Sequence, residues 1–510
     1  MGCIRMKKRF LCLFLALVMA LALVPSALAV EAEEKTVEIT ILHTNDIHSN
    51  YAESANDGMI GMAKIAGYSK QLKAQSKNVL LLDAGDNMHG TLLTTLYKGT
   101  TAPGVLNAVG YDYVTLGNHE FDYGANQYKK LTQMLKAETL VANIVKEGTG
   151  IPVFDMSVIR DFDGVKVGIF GLNTPETKVK AHPDNTKGID ILDPSLVAAQ
   201  MVKELKAKGA DYIICLAHLG IDEESEGVRS IDVAKKVKGI DLIVDGHSHS
   251  VLDGGMKVGN TLIVSAGEKG KYLGQVTITV TDGAITTNAK LLNYEAAKAF
   301  PEDAKTKKLV DRLVAKKEKA TNKVIGYTDV LLDGEREHVR AGESNLARFA
   351  TDVFRTVTGA DVAFTNGGGI RASIQAGNIT IGDVYTVFPF GNSLTVKEVT
   401  GAQLEEALAF GLSSFPTAAG AMPQVSGMTY KIKATGGKPY DIMVGGEPLE
   451  AAKKYTLVTN DFMAAGGDGY TMFGAAPTVA FFGGMEEVLI NYIKENGVVF
   501  DDTPRLNVVE

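Results

Sequence analysis

The sequence predicts an α/β protein in two parts, a larger domain built on a layered sheet and a second, smaller α/β region joined to it by a helix. Three features of the 510 residues carry that expectation. Short apolar runs alternate with amphipathic stretches through the first half, the composition changes abruptly at Pro301, and strand-like runs resume beyond it. With 45% hydrophobic residues the chain can bury a large core, and its length suits at least two domains. A charged fraction of 22% without a dominant low-complexity tract excludes a mostly disordered protein. Lys and Arg total 52 against 60 Asp and Glu, a net charge of −8, which leaves no basic footprint for long nucleic acid. An anionic substrate would have to be attracted by local cations. The 54 glycines exceed the average share of about 7%, so tight turns or backbone-lined sites are expected.

Residues 1–29 read as a secretory signal. Arg5, Lys7, Lys8 and Arg9 are followed by the apolar run Phe10 to Val24 and by Ala27-Leu28-Ala29, a small-x-small cleavage pattern. An uncleaved anchor is the alternative, but the run is shorter than the roughly 20 residues that span a bilayer. No later stretch of about 18 or more apolar residues exists. Cleavage would take the net charge to about −12 on the same formal-charge convention and remove Cys3 and Cys12, leaving only Cys215. The expected mature protein is soluble and exported, periplasmic or extracellular and cell-wall associated, without an internal disulfide or a lipid anchor.

Thr36 to Leu42 alternates like a half-buried strand and Asn78 to Leu82 reads as a fully buried one. Leu131 to Lys136 and Leu196 to Lys208 have helical spacing, and Tyr212 to Leu216 and Leu242 to Val244 are again strand-like. The lysine-rich segment after Pro301 places Leu309, Leu313 and Val314 at helical spacing. It is a helix joining two domains or a surface helix within one. Strand candidates return at Asp361 to Thr365 and Tyr455 to Thr459. The expected divisions are a signal over 1–29, a first domain over 30–300, a linking helix over 301–324 and a second domain over 325–510.

Five polar clusters each follow a strand-like run in the first part: Asn45-Asp46-Ile47-His48, Gly85-Asp86, Gly117-Asn118-His119-Glu120, His218, and Gly246-His247-Ser248-His249. Ligands of open α/β sheets bind beyond the carboxyl ends of the strands, so five such clusters in succession predict one crevice. With Cys215 the sole mature cysteine, a thiolate zinc site is excluded, and imidazole and carboxylate suit Zn, Mn, Co or Fe. The donors outnumber what one ion needs, and Asp86 is the natural bridge between two. Ions about 4 Å apart can clamp a phosphoryl group and activate water for in-line attack on phosphorus.

The series Asp-x-His, Gly-Asp, Gly-Asn-His-Glu, His and Gly-His-x-His resembles the calcineurin-like metallophosphoesterases. More narrowly, His43-Thr44-Asn45-Asp46, Gly117 to Asp122 (GNHEFD) and Gly246 to His249 resemble the secreted 5′-nucleotidases, which include the periplasmic UDP-sugar hydrolases. The resemblance runs from about Val37 to the C-terminus, and it implies an α-β-β-α layering of the first domain. By motif it implies two divalent ions, Zn, Mn or Co, with Asp46, His48, Asp86 and His249 at the first and Asp86, Asn118, His218 and His247 at the second. At the position of His249 family members often carry Gln or Asn. His119 would meet the substrate phosphate or protonate the leaving oxygen, with Asp122 orienting its ring. His43 is expected to be packed or to support a ligand, Glu120 to accept hydrogen bonds behind the ligands, and Cys215 to be core. His89, His182 and His338 receive no role.

In the second region, Arg340, and Asn366 and Arg371 of TNGGGIR, supply donors that match phosphate or ribose oxygens, or else belong to a plain Gly-rich turn with a surface arginine. The resemblance places Phe390 and Phe462 on the two faces of a nucleobase and Asp468 on ribose hydroxyls. It also implies that the second domain rotates about the linking helix to carry phosphate to the metals. The expected protein is therefore an exported dimetal phosphohydrolase that removes the 5′-phosphate of nucleoside monophosphates, with nucleoside di- or triphosphates or UDP-sugars as further substrates. Alternatives are a 2′,3′-cyclic-nucleotide phosphodiesterase or broad nucleotide phosphatase on the same scaffold and, more remotely, a non-catalytic surface ligand-binding module. The sequence gives neither oligomeric state nor base preference.

Overall fold

A computed structural model describes residues 36–510 except Leu96, His182, Glu223, Glu224, Glu226 and Phe500. The signal expected over 1–29 and His182 lie outside the described residues. Two six-stranded sheets face each other in the first domain. One runs in the spatial order Ala284–Asn293, Tyr272–Thr281, Thr36–Thr44, Val79–Asp83, Tyr113–Val114 and Glu138–Thr139. The other runs Met256–Val258, Thr261–Val264, Leu242–Val244, Tyr212–His218, Val165–Asn173 and Ser157–Phe162.

Strand alternation explains the layering. Ile39, Ile41, Leu80 and Leu82 point into one core with Ile169, Ile214, Leu216 and Val244 of the opposite sheet. The intervening Leu42 and Leu81 face outward onto helices, packing with Ile65, Leu106 and Val310. On the far side Ile213, Cys215 and Ile243 pack on Met201, Val202 and Val233. Central strands buried on both faces need continuous apolar runs, which is why Val79 to Leu82 and Tyr212 to Leu216 lack alternation. Thr36–Thr44, Val79–Asp83 and Tyr113–Val114 are mutually parallel, as are Val165–Asn173, Tyr212–His218 and Leu242–Val244. Their carboxyl ends therefore open on the same edge of the sandwich.

Two helices differ from the sequence expectation. Instead of Leu131 to Lys136, the helix spans Ala125–Gln133, starting after Gly124 at φ 94° and burying Tyr128 and Leu131 one turn apart. The helix expected from Leu196 begins at Pro194, because the Asp193 carboxylate accepts the N–H groups of Ser195 and Leu196. Leu196 itself points to solvent, 74% exposed, and the buried face is Val197, Ala198, Met201, Val202 and Leu205.

The lysine-rich helix spans Ala304–Thr321, with the Asp303 carboxylate accepting the Thr306 N–H at its start. Val310 and Leu313 are buried and Leu309 and Val314 partly so, all against the helical layer of the first domain. Beyond it lies a five-stranded sheet ordered Pro423–Ser426, Val362–Asn366, Lys454–Asn460, Ser393–Thr400 and Thr478–Gly484. A four-stranded sheet, Glu447–Pro448, Tyr440–Val444, Met428–Lys433 and Leu506–Val509, completes the second domain. Leu92 of the first domain packs into this domain's core, so the two meet through apolar contact as well as through the chain.

Gly67 marks where the Met62–Gln75 helix approaches the start of the lysine-rich helix. A Cβ there would lie 1.8 Å from the Pro301 carbonyl oxygen. Gly67→Ala is expected to destabilise the protein by about 1–3 kcal/mol. Gly104→Ala, inside a helix and with nothing nearer than 3.9 Å, is expected to be neutral or stabilising by up to about 1 kcal/mol. Urea unfolding of the two variants measures the difference.

Candidate active site

Five strands deliver polar side chains to one edge of the sandwich. Asp46 and His48 follow Thr36–Thr44, Asp86 follows Val79–Asp83, and Asn118 and His119 follow Tyr113–Val114. His218 ends Tyr212–His218, and His247 and His249 follow Leu242–Val244. Asp46, His48, Asp86, His247 and His249 all have positive φ, between 46° and 80°. L-residues pay about 1–3 kcal/mol each for such conformations, which persist where the surroundings fix them. Backbone bonds do so here: Asp46 N–H donates to the Gly85 carbonyl and His48 N–H to the Asp86 carbonyl, at 3.0 and 2.9 Å.

The donor atoms form two neighbouring groups, Asp46 with His48 and His249, and Asp86 with His218 and His247. The Nε2 atoms of His48 and His249 face each other at 3.1 Å. His218 Nε2 lies 3.2 Å from Asp86 Oδ2, 3.3 Å from Asn118 Oδ1 and 4.0 Å from Asp46 Oδ1. Each imidazole of the second group is oriented through its other nitrogen. His218 Nδ1 donates to the Ala84 carbonyl oxygen at 2.7 Å, and His247 Nε2 meets Glu176 Oε2 at 2.7 Å. His249 is the most open of the set, 42% exposed, with Nδ1 3.4 Å from Glu268. Burial, opposed by His218 and reinforced by Asp86, pushes the Asp46 pKa up to about 8. Against burial, His218 and His119 hold Asp86 well below the usual carboxylate range. Buried carboxylates converging with imidazole nitrogens fit divalent cations of the borderline class.

Glu120 acts behind the ligands. Its carboxylate accepts the backbone N–H groups of Asp86, Asn87, Met88 and Gly117 at 2.6–3.1 Å, tying two ligand-bearing loops together. Asn45 bridges Asp46 to the 266–267 backbone, and Asp245 accepts the N–H groups of Leu219 and Gly220 just after His218. His43 is buried against Gly274, and its pKa is pushed down to about 4 by burial. Cys215 is core, and His338 pairs on the surface with Asp333. Glu176, Glu268 and Asp245 escaped the sequence reading. Their only signal is position in a loop after a strand, which many acidic residues share.

His119 Nδ1 lies 2.6 Å from Asp122 Oδ2, and its backbone N–H donates to Asp86 Oδ1. Burial disfavours the imidazolium, but Asp122 and Asp86 outweigh it and push the pKa up to about 10. A proton held on this ring beside the ligand cluster is placed to be given to an oxygen.

In the second domain, Arg340, Asn366, Arg371, Phe390, Phe462 and Asp468 line one cavity of about 380 Å³, together with Asn392 and the glycines 368, 369 and 420. Phe390 and Phe462 are 58% and 48% exposed, unusual for Phe in apolar runs, so neither ring is spent on the core. The Arg371 guanidinium sits 5.6 Å from the centre of the Phe390 ring, and Asn366 Nδ2 donates to Asp468 Oδ2 at 2.5 Å. Asn392, missed in the sequence, reaches the same space. At the domain boundary, burial and the Asp122 carboxylate of the first domain push Glu487 up to about 7.

Residues 39–251 match the calcineurin-like phosphoesterase family and residues 324–475 the 5′-nucleotidase C-terminal domain. The chain is 34% identical over 86% of its length to the trifunctional nucleotide phosphoesterase YfkN of Bacillus subtilis, and spans about a third (32%) of that longer protein. It is 31% identical to a 5′-nucleotidase of Vibrio cholerae, covering 91% of this chain and 92% of the other. The structure of Haemophilus influenzae NAD nucleotidase superposes with a TM-score of 0.74 at 26% identity, covering 93% of this chain and all (100%) of that one.

Glu120→Ala would leave four buried amides without their acceptor, and a loss of at least about 3 kcal/mol in urea unfolding is expected. Glu487 has a folded pKa raised from 4.5, so its contribution to stability is fully present below 4.5 and is lost as pH rises through about 7. Glu487→Gln should therefore raise the melting temperature at about pH 8 and leave it nearly unchanged near pH 4.5, as thermal scans at the two pH values would show.

Proposed function

The chain belongs to the bacterial 5′-nucleotidase family, and from that premise we propose that it is an exported phosphohydrolase that removes the 5′-phosphate of nucleoside monophosphates. The observation that carries the reading is the second-domain cavity, where two exposed Phe rings, two arginines, an Asn and an Asp meet in one space. A base stacks between or upon the rings, Asp468 accepts from ribose hydroxyls, and Arg340 and Arg371 attract the phosphate. Asp46, His48, Asp86 and His249 would hold one divalent ion, and Asp86, Asn118, His218 and His247 would hold a second. When bound, such ions clamp the phosphoryl oxygens and acidify the attacking water. His119 delivers its proton to the departing ribose oxygen, and Asp122 keeps the ring turned and charged until then. Zn, Mn and Co all suit the donor set.

The similarity to a protein named a trifunctional nucleotide phosphoesterase favours a second reading, a broader enzyme that also opens 2′,3′-cyclic esters. Among the described residues no helix is long and apolar enough to cross a membrane. Export rests on the signal pattern of residues 1–29.

Phosphate release from AMP, ADP, UDP-glucose and 2′,3′-cyclic AMP, with Mn, Co, Zn or EDTA, distinguishes these readings. AMP is expected to be turned over and EDTA to abolish it. His119→Ala should lower kcat for AMP by about 10²–10⁴-fold. Preference for the cyclic ester would overturn the substrate, and full activity of the variant would overturn the role of His119.

A further inference from the structure

His89 lies three residues beyond Asp86, in a loop that also faces the His119–Asp122 pair. Its Nδ1 is 3.3 Å from Asp122 Oδ2, the same oxygen that His119 Nδ1 approaches at 2.6 Å. The two imidazoles are parallel, 6° apart with centres 5.3 Å from each other, and the Tyr123 ring lies tilted beside His89 with its centre 5.4 Å away. Two ring nitrogens thus converge on one carboxylate, and the three donor atoms lie within 4.8 Å of one another. Ligand atoms at about 2.0–2.1 Å from a tetrahedral zinc are separated by about 3.3–3.4 Å, close to the His89–Asp122 spacing, while the hydrogen-bonded His119–Asp122 pair has to open from 2.6 Å to admit the ion. The three side chains are 14%, 28% and 15% exposed, enough for an ion to enter from solvent and keep a water. Asp86 adds negative potential nearby.

We propose that His89, His119 and Asp122 form a third divalent-cation site, separate from the two ligand groups described above, and that filling it switches the enzyme off. Two imidazole nitrogens and one carboxylate oxygen select zinc over magnesium or calcium, which prefer all-oxygen sites. The ion takes the lone pair of His119 Nδ1 and the Asp122 oxygen, one proton leaves His119 for solvent, and the pair can no longer hold the ring in the state that protonates the leaving oxygen. His89 contributes to inhibition rather than to turnover. The inhibitory consequence rests on the proposed role of His119, whereas binding of the ion does not.

The experiment starts from protein loaded with two equivalents of zinc and raises free Zn²⁺, measuring bound zinc by equilibrium dialysis with elemental analysis. AMP hydrolysis is followed in parallel. His89→Phe keeps the ring without the nitrogen, and His89→Gln is a second variant of different size. The wild type is expected to bind a third equivalent as its activity falls. Both variants should stop at two, with half-inhibition moved to at least about tenfold higher zinc, as expected for loss of one ligand of three. A third equivalent of Co²⁺ should likewise add visible absorption in the wild type and not in the variants. A wild type that stops at two ions, or variants that bind the third as before, would overturn the site. A third ion that binds without inhibiting would leave the site standing and overturn instead the role of His119.

Discussion

Asp46 and Asp86 are both removed from water at the meeting point of two sheets, with His218 between them. Burying two carboxylates together is unfavourable unless cations lie close by, whether imidazolium rings or bound metal ions. The opposed pKa directions of the two aspartates, one raised and the other depressed, record that competition. The surrounding construction serves this cluster. Glu120 gathers four amides from two ligand-bearing loops, Ala84 and Glu176 turn the imidazoles of His218 and His247, and positive-φ backbone aims Asp46, His48, Asp86, His247 and His249 inward. Left-handed backbone at so many non-glycine positions is tolerable because the sheets beneath are buried on both faces and do not yield.

The second domain supplies what the cluster lacks. The Phe390–Phe462 cavity presents aromatic faces and paired polar groups, which a cluster of carboxylates and imidazoles does not. The two domains also meet near the reacting groups, since Leu92 reaches into the second core and Glu487 faces Asp122. Burial and the Asp122 carboxylate push the Glu487 carboxyl at this boundary up to about 7.

Much of the architecture was legible because it depends on periodicity. Continuous apolar runs marked the buried strands Val79–Asp83 and Tyr212–His218, and polar clusters after strands located the crevice. Periodicity failed where an apolar residue was not core. Leu196 is exposed, and the Ala125–Gln133 helix is anchored by Tyr128 and Leu131 and ends before Leu135. Caps at Asp193 and a glycine at 124 set those boundaries, not the apolar spacing.

The sequence by itself determined the layered α/β class, the family motifs and the set of side chains that converge in the crevice and in the second-domain cavity, because those depend on residue type, order and short-range spacing. Only the tertiary structure decided which nitrogen of each imidazole faces the cluster, that Glu176 and Glu268 stand behind His247 and His249, and that His89 shares the Asp122 oxygen with His119. Those relations join residues 19 to 71 positions apart or fix a rotation within one ring, and neither leaves a periodic trace in the chain. They arise from packing five strand ends from two sheets around one buried charge cluster.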